Sequence, residues 1–154
     1  MKLNVYREFF GDYQQVGMLS NETGTTSFRY VPEYLSSQNA HAISRKLPLS
    51  DIPFGAGATA AFFDGIVPEG SLRGDIAKVA QIDRRNYLGF LNQVRNEPIG
   101  ALLFSDEQGV SQLHMGYEEL PSSKMRALAL APAREALEMT LESRISLAGA
   151  QSKV

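Results

Sequence analysis

Hydrophobic and aromatic positions recur with a period of two near the start of the chain, where Leu3, Val5 and the nearby aromatics form one run. Gly11-Asp12 then supplies a turn, and Tyr13 to Leu19 reads as a returning strand, so the opening segment predicts a β-hairpin. Turn formers cluster from Asn21 to Thr25. From Thr26 to Val31 the β character resumes, with Phe28 and Tyr30 on one face and Arg29 on the other. Pro32-Glu-Tyr-Leu35 suits one short helical turn, because proline is pre-set for a first helical position. Ala42 to Leu49 returns to extended chain, bounded by Pro48 and Pro53.

At Gly57 the period changes. Ala58, Ala61, Phe62 and Ile66 are spaced for one face of a helix that ends near Pro68. Ser71 is placed to cap a second helix with Leu72, Ile76, Val79 and Ala80 as its apolar stripe. Asp83 is placed to cap a third, carrying Tyr87, Leu88, Leu91 and Val94. Ile99 to Ser105 and Val110 to Met115, joined through Asp106-Glu-Gln-Gly109, predict a late hairpin. Met125 to Leu141 predicts a helix interrupted near Pro132. The fold class is therefore α+β: a small antiparallel β-sheet or partly closed barrel with several short helices packed beside it.

Composition narrows the function. The chain has 154 residues, 44% hydrophobic and 21% charged, ordinary for a globular domain or two small subdomains. Its longest apolar stretches, such as Ala56 to Phe63, fall short of the ~20 residues that cross a bilayer. There is no cysteine, and the N-terminal segment lacks a secretory pattern, so a cytoplasmic protein without membrane contact is expected. The net charge of −2, with dispersed Lys and Arg, disfavours direct nucleic-acid binding. The pairs Arg84-Arg85 and Arg45-Lys46 read as solvated faces.

Candidate chemistry gathers at the C-terminal end. Arg144-Ile-Ser-Leu-Ala-Gly-Ala-Gln-Ser-Lys-Val154 reads as a strand, a small-residue turn and the start of a returning strand. Ala148, Gly149 and Ala150 let the backbone approach an anion, and Lys153 adds a point charge. A nucleotide site is expected to begin here and to be completed elsewhere. The spacing is neither a Walker A loop nor Gly-x-Gly-x-x-Gly, and taken alone the segment reads sooner as an ordinary β-turn. Asp51, Asp64, Glu69 and Asp75 lie in or beside predicted helix starts, where capping and dipole interactions account for them, and none is given a catalytic role. His41 and His114 stand apart from acidic residues at ligand spacing, so no metal site is expected.

Several ordered motifs carry a family resemblance. Val16-Gly-Met-Leu19, Phe28-Arg-Tyr-Val-Pro-Glu-Tyr-Leu35, Ile43-Ser-Arg-Lys-Leu-Pro-Leu49, Phe62-Phe-Asp-Gly-Ile-Val-Pro-Glu-Gly70 and Ile99-Gly-Ala-Leu102 resemble, in sequence order, the N-terminal subdomain of HipA-like proteins. These are serine/threonine kinase toxins of bacterial toxin–antitoxin systems, associated with persistence. The closing Ile145-Ser-Leu-Ala-Gly-Ala-Gln-Ser-Lys153 is similar to the glycine-rich loop that opens their kinase core. The resemblance thus implies a HipA-like subdomain over 1–105, and over 106–154 a hairpin, a helical connector and the beginning of the kinase core, with the loop at 146–153.

The resemblance implies that Ala148, Gly149, Ala150, Gln151, Ser152 and Lys153 contact the phosphates of ATP, bound with Mg2+ in the intact kinase. Ser146 matches the family's autophosphorylated serine; phosphate there adds about two negative charges beside the nucleotide phosphates and would switch the kinase off. The catalytic aspartates of the family lie beyond Val154, so this chain alone is expected to be inactive, with no catalytic residue of its own. Implied partners are a helix-turn-helix HipB-like antitoxin, through which any DNA contact would be indirect, the remaining kinase core in cis or in trans, and a protein substrate such as an aminoacyl-tRNA synthetase. A second reading makes the chain a separate, non-catalytic module that binds and restrains a HipA-like kinase. The chain departs from the family at Arg95-Asn-Glu-Pro98, where Gly-Arg-Asp is common, and at Gly65 and Ile66-Val67, where Asn and Leu-Leu are preferred.

Overall fold

A computed structural model describes residues 1–9, 12–22, 24–95, 98–106 and 121–131. Strands β1 (Lys2–Phe9), β2 (Asp12–Asn21) and β3 (Thr26–Tyr30) are followed by helices α1 (Pro32–Leu35), α2 (Ala56–Phe63), α3 (Gly70–Val79) and α4 (Tyr87–Gln93). Strands β4 (Pro98–Ile99) and β5 (Leu102–Ser105) come next, then α5 (Ser122–Leu130). The five strands form one open, fully antiparallel sheet in the order β3-β2-β1-β5-β4, so the expected α+β class holds and the sheet does not close into a barrel.

The hairpin of β1 and β2 carries a bulge. Val5 faces Gly17 while Tyr6 faces Gln15, leaving Val16 as the extra residue. Its carbonyl is not wasted: the Val31 N–H donates to it at 3.2 Å and ties the end of β3 back to β2. Gly17 is required by close approach, since a Cβ there would lie 2.5 Å from Phe28 Cε2 and 2.6 Å from the Arg29 carbonyl oxygen.

One face of the sheet carries Leu3, Val5, Leu19, Phe28, Tyr30, Leu102 and Phe104, and helices α1 to α4 pack on it. Phe28 is the hub, with ring centroids 4.9 Å from Tyr30, 5.2 Å from Phe63 and 6.2 Å from Phe54. Phe28 and Tyr30 are buried and Arg29 is exposed, as their alternation predicts. The segment expected to be extended over Ala42 to Leu49 is instead irregular and is held by side chains. The Tyr30 hydroxyl donates to Leu47 O at 2.6 Å and accepts from Ile43 N at 3.0 Å. The Tyr34 hydroxyl donates to His41 O at 2.8 Å and accepts from His41 N at 3.0 Å. Two phenols thereby satisfy backbone groups that no strand partner serves.

The helices differ in detail from the periodic reading. Helix α2 ends at Phe63, ahead of Pro68, and buries Thr59 and Phe63, while Ala58, Phe62 and Ile66 pack at the margin and Ala61 faces solvent. In a helix as uniformly apolar as Ala56–Phe63, periodicity does not single out a face; the aromatic hub does. Glu69, without a side-chain cap, precedes α3, and Ser71 lies inside it. Asn86 and not Asp83 caps α4, accepting from Gly89 N at 3.0 Å. The run Ile99 to Ser105 is divided by Gly100, whose φ of 61° makes the tight turn between β4 and β5. The partner expected over Val110 to Met115 lies outside the described residues. Helix α5 ends at Leu130, with Ala131 extended (ψ 144°) ahead of Pro132, which has no N–H for a further hydrogen bond.

Candidate functional site

A shallow cleft of about 480 Å3 opens between the start of α3 and the loop that leads into α4, lined by Asp64, Glu69, Gly70, Arg73, Arg84 and Arg85. It is built on the Phe62-Phe-Asp-Gly-Ile-Val-Pro-Glu-Gly70 segment. Phe63 and Val67 are buried and anchor that segment to the core. Between them the chain leaves α2 at Asp64, whose N–H donates to Ala60 O at 3.0 Å. Asp64 therefore closes a helix rather than opening one, and its carboxylate turns across to α3.

There it meets Arg73. Nη2 of Arg73 donates to Asp64 Oδ1 at 2.6 Å, while Nε donates to the Arg84 carbonyl at 2.7 Å. The guanidinium carbon lies 5.2 Å from the centroid of Phe90, a cation–π contact from α4. Arg84 returns the link, donating from Nη2 to the Gly70 carbonyl at 2.7 Å. Gly70, at φ 62°, has the left-handed conformation that turns the chain into α3. The two arginines thus cross-brace α3 and the 83–86 loop. That loop is itself fixed by Asp83, whose Oδ1 accepts from Arg85 N at 2.7 Å and whose carbonyl accepts from Asn86 N at 2.9 Å.

Tyr87 stands beside this network. Burial raises its hydroxyl pKa above the ordinary tyrosine value, the negative charge of Asp64 adds to the rise, and a hydrogen bond with the Thr26 side chain opposes it. The cleft lining holds two carboxylates and three guanidinium groups, so charge recognition is a chemistry it offers.

Ala148, Gly149, Ala150, Gln151, Ser152, Lys153 and Ser146, together with His114, lie outside the described residues. His41 is exposed, with Nδ1 2.8 Å from Asn39 O. Asp51 and Asp75 are exposed and stand apart from the cleft, Asp75 facing Lys78 at 4.0 Å. Of the carboxylates considered from the sequence, the structure brings together Asp64 and Glu69. What the sequence reading missed is the arginine set. Arg84 and Arg85 are exposed, as a solvated face would be, yet Arg84 is engaged with Gly70, and Arg73 makes an ion pair with Asp64 at 2.6 Å. At the divergent Arg95–Pro98 segment, Arg95 Nε lies 3.7 Å from Asp106 Oδ2.

Comparison with known proteins places the chain in a family. A family profile described as HipA N-terminal domain matches residues 8–105. The chain belongs to that family. It is also similar to a protein of Sinorhizobium fredii (strain NBRC 101917 / NGR234) named "Putative kinase Y4mE", with 29% identity over 150 residues. The alignment covers 93% of this chain and 36% of that relative, so the chain spans little more than a third of the relative's length. No helix among the described residues is long and apolar enough to cross a membrane.

Proposed function

We propose that this chain is the N-terminal portion of a HipA-like serine/threonine protein kinase, the toxin of a type II toxin–antitoxin system acting in the cytoplasm. The observation that carries this reading is the HipA N-terminal domain match over 8–105 in a chain that aligns along 93% of its length with a much longer relative named as a kinase. In this reading the described sheet and helices are a non-catalytic platform, and residues 146–153 form the loop over the ATP phosphates. Backbone N–H groups around Ala148, Gly149 and Ala150, with Gln151, Ser152 and Lys153, hold the phosphates; Mg2+ and the catalytic carboxylates belong to the remaining kinase core. Ser146 is the autophosphorylated position, and phosphate there opposes nucleotide binding by charge repulsion. Partners are a helix-turn-helix HipB-like antitoxin and a protein substrate of the aminoacyl-tRNA synthetase class.

The test is intact mass and ATP-dependent phosphate incorporation, for this chain alone and for the chain extended with a kinase core. Phosphate at Ser146 in the extended chain alone supports the reading. No phosphate in either, together with inhibition of a separate HipA-like kinase by this chain, replaces it with the role of a restraining module.

A further inference from the structure

We infer that the Asp64–Arg85 cleft docks an acidic segment of a partner protein, with Arg84 and Arg85 as the carboxylate-binding pair; this goes beyond the kinase reading and does not depend on it. Three guanidinium groups face two carboxylates in the lining, and they are not equivalent. Arg73 is neutralised by Asp64 at 2.6 Å, with only 12% of its side chain exposed. Arg84 spends one N–H on the Gly70 carbonyl, a neutral acceptor, and keeps its full charge. Arg85 is exposed and has no ion-pair partner among the described residues. Two adjacent guanidinium groups without an ion-pair partner among the described residues are therefore presented at the cleft, on a loop whose backbone is already fixed by Asp83 and by Arg73, so little backbone ordering remains to oppose binding.

The ligand class follows from charge and shape. Planar guanidinium forks match carboxylates in paired hydrogen bonds. Glu69 stands in the same lining with no ion-pair partner among the described residues, and its repulsion grows with the charge of the incoming group. The attraction of the guanidinium groups grows in the same proportion, so competition between acetate and inorganic phosphate, and not charge alone, separates a carboxylate from a phosphate ligand. The cleft is shallow, which suits side chains of a passing polypeptide better than an engulfed small molecule.

A fluorescein-labelled ten-residue oligoglutamate, titrated with the 154-residue chain and followed by anisotropy, tests the inference. Expected are saturable binding that weakens with salt, a loss of roughly tenfold or more in Arg85→Glu, and a gain of a few-fold in Glu69→Gln. The double variant Arg45→Glu/Lys46→Glu, which reverses an exposed cationic pair elsewhere, is expected to bind as the parent does. Circular dichroism checks that each variant is folded. Absence of binding, survival of binding in Arg85→Glu, an equal loss in the Arg45/Lys46 variant, or displacement by inorganic phosphate at concentrations where acetate has no effect would each overturn it.

Discussion

The hydroxyl of Tyr30 lies 2.6 Å from the carbonyl oxygen of Leu47, a contact that helps pin the irregular segment after α1 onto the last residue of β3. The same hydroxyl accepts from Ile43 N, so one phenol serves two backbone groups beneath a chain with few strand-like bonds of its own. Tyr30→Phe keeps the ring packing and removes both. It is expected to cost about 1–3 kcal/mol of unfolding free energy, the penalty for stranding buried polar groups, measured by urea denaturation.

Gly17→Ala tests the close approach of β2 to Phe28. The added methyl would fall 2.5 Å from a ring that is fully buried among Tyr30, Phe54 and Phe63, and 2.6 Å from the Arg29 carbonyl. Neither neighbour is free to retreat. A loss of about 1–3 kcal/mol is expected from overpacking, and an unchanged denaturation midpoint would show that the sheet relaxes around the methyl.

The Asp64–Arg73 pair predicts a measurable coupling. Arg73 is largely buried, but Asp64 is 47% exposed, so solvent screening limits the ion pair itself to about 1 kcal/mol. Arg73→Ala is expected to lose more than Asp64→Asn, because it also removes the Arg84 carbonyl's donor and the cation over Phe90. A double-mutant cycle on unfolding free energies separates the two contributions.

Alkali should destabilise the fold. Burial raises the pKa of Tyr6, Tyr30 and Tyr87 above 10.0. A neutral phenol is thus favoured in the folded state, and the stability it confers is fully present below 10.0 and lost as pH climbs through the raised folded-state values. Phenolate absorbance of these three is expected to rise above the ordinary tyrosine range and together with unfolding. Titration of all tyrosines as one group near the ordinary value would contradict it.

Loading the chain with nucleotide gives the remaining prediction, which rests on the kinase reading. Lys153→Ala in the chain joined to a kinase core is expected to weaken ATP binding, since one point charge at the phosphates is removed. Isothermal calorimetry with and without Mg2+ measures the change.

Much of the fold was legible because its signals are local. The alternation of Phe28, Arg29 and Tyr30 assigned faces, and Pro32 marked α1, each within a few residues of chain. Gly100 does not stand out as a turn because Ile99 to Ser105 reads as one apolar run; only its positive φ divides β4 from β5. Asp83 looked like a cap, yet its carboxylate is spent on Arg85 N, which leaves Asn86 to cap α4.

The sequence by itself determined the class of the fold, the existence of most elements, and, through the ordered motifs, membership of the HipA family. Side-chain periodicity, turn chemistry and motif order are properties of neighbouring residues, so they survive without coordinates. Only the tertiary structure decided that β5 pairs with β1 to give the order β3-β2-β1-β5-β4, and that Asp64, Arg73 and Arg84 converge. Those relations join segments distant in sequence. They are set by which apolar faces bury against the Phe28 hub and by where the helix ends are left when they do.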